Sequence, residues 1–254
     1  PRAGPRPVAP HRARRCRRAR ATPAGAVTVP VLALDTSTLL GSVALARDAE
    51  LLGEIVLGVR VRHSEALLPA IHTVLAGAGL TPRDLGGVVV GAGPGSFTGV
   101  RIAAATAKGL VHAAGIPLRA CSSLAALAAA AATHDRPVCA LFDARRDEVY
   151  AACYRFPGYA RMETLLDPAA RHLDDVLRDV LALAPIFTGD GALRHAGRIR
   201  AAGGTVAPPH LAIPRASCLL WLAALHPDRG LIDDPARWEP AYVRPPGIDR
   251  RARP

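Results

Sequence analysis

Short apolar runs of strand length alternate along this chain with longer stretches of helical periodicity, and the order of elements occurs twice. Val31 to Asp35, Ser42 to Ala46 and Glu50 to Leu57 are separated by tight connections, which predicts three strands with an antiparallel start. A helix is expected over 64–77: Ser64 caps it, Glu65 faces the positive dipole end, and Leu67, Leu68, Ile71, Val74 and Leu75 recur at helical spacing. Pro69 falls early in it, and Gly77 or Gly79 ends it. Gly87 to Val90 reads as a buried strand, 98–114 as a helix closed by Gly115 and Pro117, Leu118 to Cys121 as a strand, and Ser123 to Ala132 as a helix.

A similar order restarts at Pro137. Val138 to Asp143 and Glu148 to Tyr154 form a hairpin pattern, Pro168 to Leu183 an amphipathic helix, Ile186 to Thr188 a strand, and Gly189-Asp190-Gly191-Ala192 a turn into another helix. The reading is therefore α/β: two related lobes, 30–135 and a smaller 136–243, each with a mixed sheet flanked by helices. A last helix near Ser217 to Leu225 has no packing partner that the pattern identifies.

With 254 residues, half of them hydrophobic, the chain is long enough to bury a substantial core. Its net charge of +11 invites a nucleic-acid reading, but the charge sits at the ends. Eight arginines and no acid lie in 1–29, and four arginines with Asp249 lie in the basic tail 244–254, so the body is close to neutral. The segment 1–29 is rich in Pro, Arg and Ala and is read as a disordered extension. An arm contacting RNA, a processed transit peptide and an artefact of start-site assignment stay open as alternatives.

No secretory h-region follows the arginines, and no apolar run nears the roughly 18 to 20 residues that span a bilayer, so a cytosolic location with no membrane partner is expected. Cys16, Cys121, Cys139, Cys153 and Cys218 contain no C-x-x-C spacing, which disfavours a disulfide framework or a zinc site.

The candidate chemistry lies in Gly91-Ala-Gly-Pro-Gly-Ser-Phe-Thr-Gly-Val-Arg101, a glycine loop between a strand and a helix. Backbone without Cβ atoms can bring amides against a phosphate or another chain, with the helix N-terminus adding positive potential; a plain tight turn is the alternative. The loop fits neither G-x-x-x-x-G-K-[ST] nor G-x-G-x-x-G, and Lys108, the only lysine, lies too far down the helix to act as a phosphate-loop lysine. No serine has the His and Asp order of a nucleophile, so no catalytic residue is assigned.

Several motifs taken in order resemble the TsaB family. These are Leu34-Asp35-Thr36-Ser37-Thr38 with Gly41-Ser42-Val43-Ala44, His63-Ser64-Glu65 with Leu67-Leu68-Pro69, and Gly93-Pro94-Gly95-Ser96-Phe97-Thr98-Gly99-Val100-Arg101. Asp143-Ala144-Arg145-Arg146-Asp147-Glu148-Val149-Tyr150 and Pro240-Ala241-Tyr242-Val243-Arg244 are similar to it too, so the likeness covers roughly 30–244.

The resemblance implies an actin-like ATPase (ASKHA) fold of two related lobes. It also implies a non-catalytic scaffold subunit that binds and activates TsaD, the paralogue installing threonylcarbamoyl on N6 of adenosine 37 of tRNAs reading ANN codons. The ATPase TsaE joins the ternary complex, tRNA is met through that complex, and ATP or ADP is a candidate ligand only at the junction with TsaD, with no intrinsic cofactor. Asp35, Thr36, Ser37, Gly93, Gly95, Ser96 and Thr98 are the candidate phosphate contacts. For Asp35 a structural role through Asx-type hydrogen bonds stands equally.

No metal site is assigned. The catalytic paralogue carries two histidines four apart, whereas His63 is followed four positions later by Leu67, and His72 is on another face. A His63–Glu65 carboxylate–imidazole pair and a simple helix-start cap both fit.

The two helices 64–77 and 98–114 carry more apolar positions than one side of a small sheet needs. Either both are buried in the lobe, or the surplus docks two helices of a partner as a four-helix bundle. His63, Glu65, Leu68, Ile71, His72, Leu75, Arg101, Ala103, Ala104, Ala107 and Val111 are the candidate interface, and homodimers are expected in isolation through the same face. An ATP-dependent phosphotransferase or ATPase and a metal-dependent glycopeptidase are the alternatives, the latter weakened by the missing histidine pair.

Overall fold

A computed structural model of the chain describes residues 29–58, 63–133, 135–145 and 147–241. Two mixed sheets form, built on one plan. In the first, β1 (Val31–Asp35), β2 (Gly41–Arg47) and β3 (Glu50–Leu57) make an antiparallel meander, followed by α1 (His63–Gly77), β4 (Gly87–Gly91), α2 (Phe97–Ala114), β5 (Leu118–Cys121) and α3 (Ser123–Ala130). β4 lies parallel to β1, and β5 parallel to β4.

The second sheet repeats this arrangement with β6 (Val138–Asp143), β7 (Glu148–Arg155) and β8 (Glu163–His172), then α4 (Leu173–Val180), β9 (Ile186–Thr188), α5 (Asp190–Arg194), α6 (Ala196–Ala201) and β10 (Thr205–Val206). Its order β10-β9-β6-β7-β8 mirrors β5-β4-β1-β2-β3, with the same parallel and antiparallel pairings. This is the two-lobed architecture that the actin-like fold requires.

The helix expected over Pro168 to Leu183 starts later than the pattern suggests: residues 163–172 form β8, paired with β7, so Pro168 to His172 are strand, while Leu173–Val180 is α-helical and Leu181–Leu183 adds a 3-10 turn. β8 is an edge strand, half-buried and irregular in register, so its face never acquires the clean two-residue alternation that marks a strand.

The chain then returns to the first lobe. Helix α7 (Ala216–Leu225) packs against β1, β2 and α3, and β11 (Leu231–Ile232) adds to the outer side of β5. The lobe read as 136–243 thus follows chain order but not sheet membership. The segments 1–28 and 242–254, which hold nearly all of the expected extension and the whole basic tail, lie outside the described residues.

Alternation along the strands assigns the layers. Leu32, Leu34, Val43, Leu45, Val88 and Val90 face α1 and α2, while Ala33, Ala44 and Val89 face the opposite way, toward α3 and α7. Those small side chains let α7 lie close to the strands. Residues 124–128 of α3 are buried all round because Val138, Ala140, Phe142 and Ala152 of the second sheet close over its other side. α3 and α7 are therefore a helical layer shared by both sheets, and α4 to α6 cover the far face of the second.

Glu54 of β3 anchors α7. Its carboxylate, on a side chain 5% exposed, accepts from the backbone N–H of Ser217 at 3.0 Å, from the Ser217 hydroxyl at 2.8 Å and from Arg215 Nε at 3.0 Å. A residue of the first sheet thereby caps the start of a helix more than 160 positions later, where an anion meets the positive dipole end.

Candidate functional site

The C-terminal ends of β1 and β6 face each other across a cleft between the lobes, and each ends in an aspartate that folds the next residues into the same turn. Asp35 Oδ1 accepts from the backbone N–H of Ser37 at 2.7 Å, and Asp143 Oδ1 accepts from that of Arg145 at 3.0 Å. Each is an Asx turn, in which the carboxylate mimics a backbone carbonyl. The Oδ1 contact of Asp35 is of the kind its structural reading expects.

The glycines of the 91–101 loop have a specific use. A Cβ at Gly91 would stand 2.1 Å from Asp35 Oδ2, one at Gly95 2.2 Å from the Ser37 carbonyl oxygen, and one at Gly99 1.9 Å from that of Thr36. Three glycines spaced four apart thus let the loop and the start of α2 press onto the β1–β2 turn, backbone to backbone. Hydrogen bonds close the seam: Thr36 Oγ1 donates to the Gly99 carbonyl at 2.6 Å, and Ser96 N–H donates to the Ser37 carbonyl at 2.7 Å. Gly93, at φ +87°, exchanges hydrogen bonds with Ser123, and Ser96 caps α2 by accepting from the Gly99 N–H at 3.3 Å. The Gly93–Pro94 peptide bond is cis.

Between the two turns lies a cavity of about 410 Å³. Ser37, Gly95, Ser96 and Thr98 of the candidate phosphate set line it from the first lobe, whereas Asp35, Thr36 and Gly93 sit behind them as supports. The Ser37 hydroxyl is buried with no hydrogen-bond partner among the described residues. Leu39, 68% exposed, stands at the rim.

The second lobe contributes Asp143, Arg145, Tyr150 and Asp190, none of which sequence periodicity had marked as site residues. Their signal was available in the repeat, because Asp143 ends β6 as Asp35 ends β1. Asp190 Oδ1 accepts from the backbone N–H groups of Asp143 and Gly191, and Arg194 pairs with the Asp143 carboxylate. Desolvation against the sheet raises the Asp190 carboxyl above its ordinary value; the two amides oppose this, and the neighbouring Asp143 charge adds to it. No group of three His, Cys, Asp or Glu is placed to hold a metal ion among the described residues. No helix among them is long and apolar enough to cross a membrane.

The candidate interface divides. Ile71, Leu75, Ala103, Ala107 and Val111 are at most 3% exposed in the core between α1, α2 and the first sheet, and Ala104 is buried as well. These six do not form an outer surface: the small residues spaced four apart on α2 serve its approach to the sheet. Glu65, Leu68, His72 and Arg101 do face outward, Leu68 at 57% exposure. His63 begins α1, and its side chain lies outside the described residues. Leu68, His72, Ala76, Leu80 and Leu110 border an apolar groove of about 260 Å³ whose floor is Ile71 and Leu75.

Comparison with known proteins agrees with this geometry. A family model described as "TsaD: tRNA N6-adenosine threonylcarbamoyltransferase" matches residues 58–192, which run from before α1 into α5. YeaZ from Pseudomonas aeruginosa superposes with a TM-score of 0.73 at 31% identity, covering 84% of this chain and 99% of that one. The chain belongs to the TsaB (YeaZ) family.

Two curated members of that family, each named tRNA threonylcarbamoyladenosine biosynthesis protein TsaB, are similar over the matching half. The Bacillus subtilis protein is 40% identical over 126 residues, 50% of this chain and 55% of its own. The Escherichia coli protein is 38% identical over 127 residues, 49% of this chain and 54% of its own. The chain thus spans about half the length of the curated relatives it matches.

Proposed function

We propose that this protein acts in the cytoplasm in tRNA threonylcarbamoyladenosine biosynthesis, as the non-catalytic subunit that docks on TsaD and activates it. TsaE joins that assembly, and tRNA meets this chain only through it. The observation that carries the docking role is the apolar groove between α1 and α2, with Leu68 57% exposed beside it. An aliphatic side chain that open to water, on a helix whose Leu67, Ile71, Val74 and Leu75 are buried, suits a helix of a partner laid into the groove. Family membership and the names of the relatives support the pathway, tRNA threonylcarbamoyladenosine biosynthesis.

The interface follows the exposed positions Glu65, Leu68, His72 and Arg101 together with Leu110, not the buried alanines of α2. In isolation the same face pairs with its own copy. Size-exclusion chromatography with light scattering tests this. Homodimers alone and a one-to-one complex with TsaD are expected, both lost in Leu68→Arg; a wild-type chain that stays monomeric with and without TsaD defeats the proposal.

A second reading, nucleotide binding, has its own support in the cleft between the Asp35 and Asp143 turns and in the unpartnered Ser37 hydroxyl. Calorimetry distinguishes an enzyme from a subunit. Micromolar affinity of the lone chain for Mg-ATP favours an ATP-dependent phosphotransferase, and affinity only in the presence of TsaD favours ATP or ADP held at the junction.

A further inference from the structure

Two cysteines stand directly opposite each other in the second sheet. Cys139 of β6 and Cys153 of β7 are partners in the antiparallel register, both are 0% exposed, and both belong to the face covered by α4 to α6. Their thiols are hydrogen-bonded to each other. Cys121 and Cys218 pack instead against the helical layer shared by the two sheets, so among the described residues neither competes for this pair.

Opposed residues of an antiparallel pair have Cα atoms about 4.5 or 5.5 Å apart, and a disulfide needs about 4.4–6.8 Å, so the register of these strands also admits the bond. The contact is local, made within the single β6–β7 hairpin, and its loop-closure cost is low. Full burial bars any reagent from either sulfur once α4 to α6 are in place. Chemistry at the pair is therefore confined to the time before those helices close over the sheet.

We propose that Cys139 and Cys153 are a redox modification site: they join in a cross-strand disulfide when the chain folds in the presence of a low-molecular-weight disulfide, and the finished fold then seals whichever state, dithiol or disulfide, it was formed in. The thiolate of one cysteine attacks a sulfur of the small disulfide and expels one thiolate. The thiolate of the other attacks the resulting mixed disulfide and expels the second. Two protein thiols are oxidised to one S–S bond, the small disulfide is reduced to two thiols, and the two protein thiol protons pass to the leaving thiolates. A mixed disulfide left on either sulfur is too large for a close-packed site with no accessible surface, so native packing selects against the adduct. A reducing cytosol yields the dithiol form. This site is independent of the docking face on α1 and α2.

The full chain, unfolded in urea and refolded with oxidised and reduced glutathione, should yield a species lighter by two hydrogens in which the peptides holding Cys139 and Cys153 are linked. Cell-free synthesis in the same buffer should give the same pair without a refolding step. Closing a loop of about 15 residues should raise Tm by about 6–12 °C over the dithiol form, a rise that Cys139→Ala and Cys153→Ala should each abolish. The folded dithiol protein, placed in that buffer for the same time, should keep both thiols. The absence of a linked pair from both preparations overturns the proposal, as do linkages spread over Cys16, Cys121 and Cys218. So does an oxidised form that melts below the dithiol form, and so does oxidation of the folded protein as fast as of the unfolded one.

Discussion

Two glycines of α2 provide an internally controlled measurement of how tightly the loop and the first turn are pressed together. At Gly99 an added Cβ would sit 1.9 Å from the Thr36 carbonyl oxygen, where real Cβ atoms essentially never come within 3.0 Å. The obstacle is backbone, so relief requires moving the start of α2 off the β1–β2 turn. That motion also breaks the 2.6 Å hydrogen bond from Thr36 to Gly99. Overpacking of this kind costs about 1–3 kcal/mol and the hydrogen bond about 1 kcal/mol, against about 1 kcal/mol gained from replacing a helical glycine.

Gly99→Ala should therefore lose about 1–3 kcal/mol. For a chain of this size that is a fall in Tm of about 2–12 °C. Gly109 lies in the same helix with nothing within 4 Å of its added Cβ, so Gly109→Ala should gain about 1 kcal/mol and raise Tm by about 2–4 °C. Thermal unfolding of the two variants beside the wild type decides the matter. Equal shifts of the same sign, or a Gly99→Ala protein as stable as the wild type, would refute the claim that the glycine spacing exists for this contact.

Other expectations follow from the same contacts. Ala103→Arg or Ala107→Arg, at positions with no exposure, should prevent folding, visible as loss of the cooperative transition, whereas Leu68→Arg should leave the fold intact and abolish association. Glu54→Ala should cost about 2 kcal/mol in urea unfolding, because the Ser217 N–H and Arg215 lose a shared acceptor. The Tyr154 phenol, raised from 10.0 to about 12 by burial, holds its proton longer folded than unfolded, so the stability it contributes is intact below pH 10 and is lost as pH rises toward about 12. The alkaline fall in Tm over that window should be smaller in Tyr154→Phe.

The parts of the fold legible in the sequence were those with one dominant period. β1 to β3, α2 with its Gly115 C-cap, and the first strand of the second lobe stand close to where apolar spacing places them. The edge strand β8 was not legible, because half-buried edges carry mixed patterns; only the repeat itself, matching β8 to β3, would have identified it. The same repeat would have marked Asp143 beside Asp35.

Periodicity also identified the apolar faces of α1 and α2 without giving their direction. Ala103, Ala107 and Val111 turn to the sheet, and only Leu68 and its neighbours turn away. The capping of α7 by Glu54 joins residues too distant in sequence for any local pattern to register.

The return of α7 and β11 to the first sheet bears on how the protein is made. On a ribosome an N-terminal domain ordinarily folds while the remainder is still being synthesised. Here the strands 31–121 would emerge with Ala33, Ala44 and Val89 uncovered and wait for residues 216–225 to shield them. The first lobe is thus the last to be finished, and a nascent chain halted at about residue 200 should bind hydrophobic-surface dyes and resist chaperone release until the missing helix is supplied.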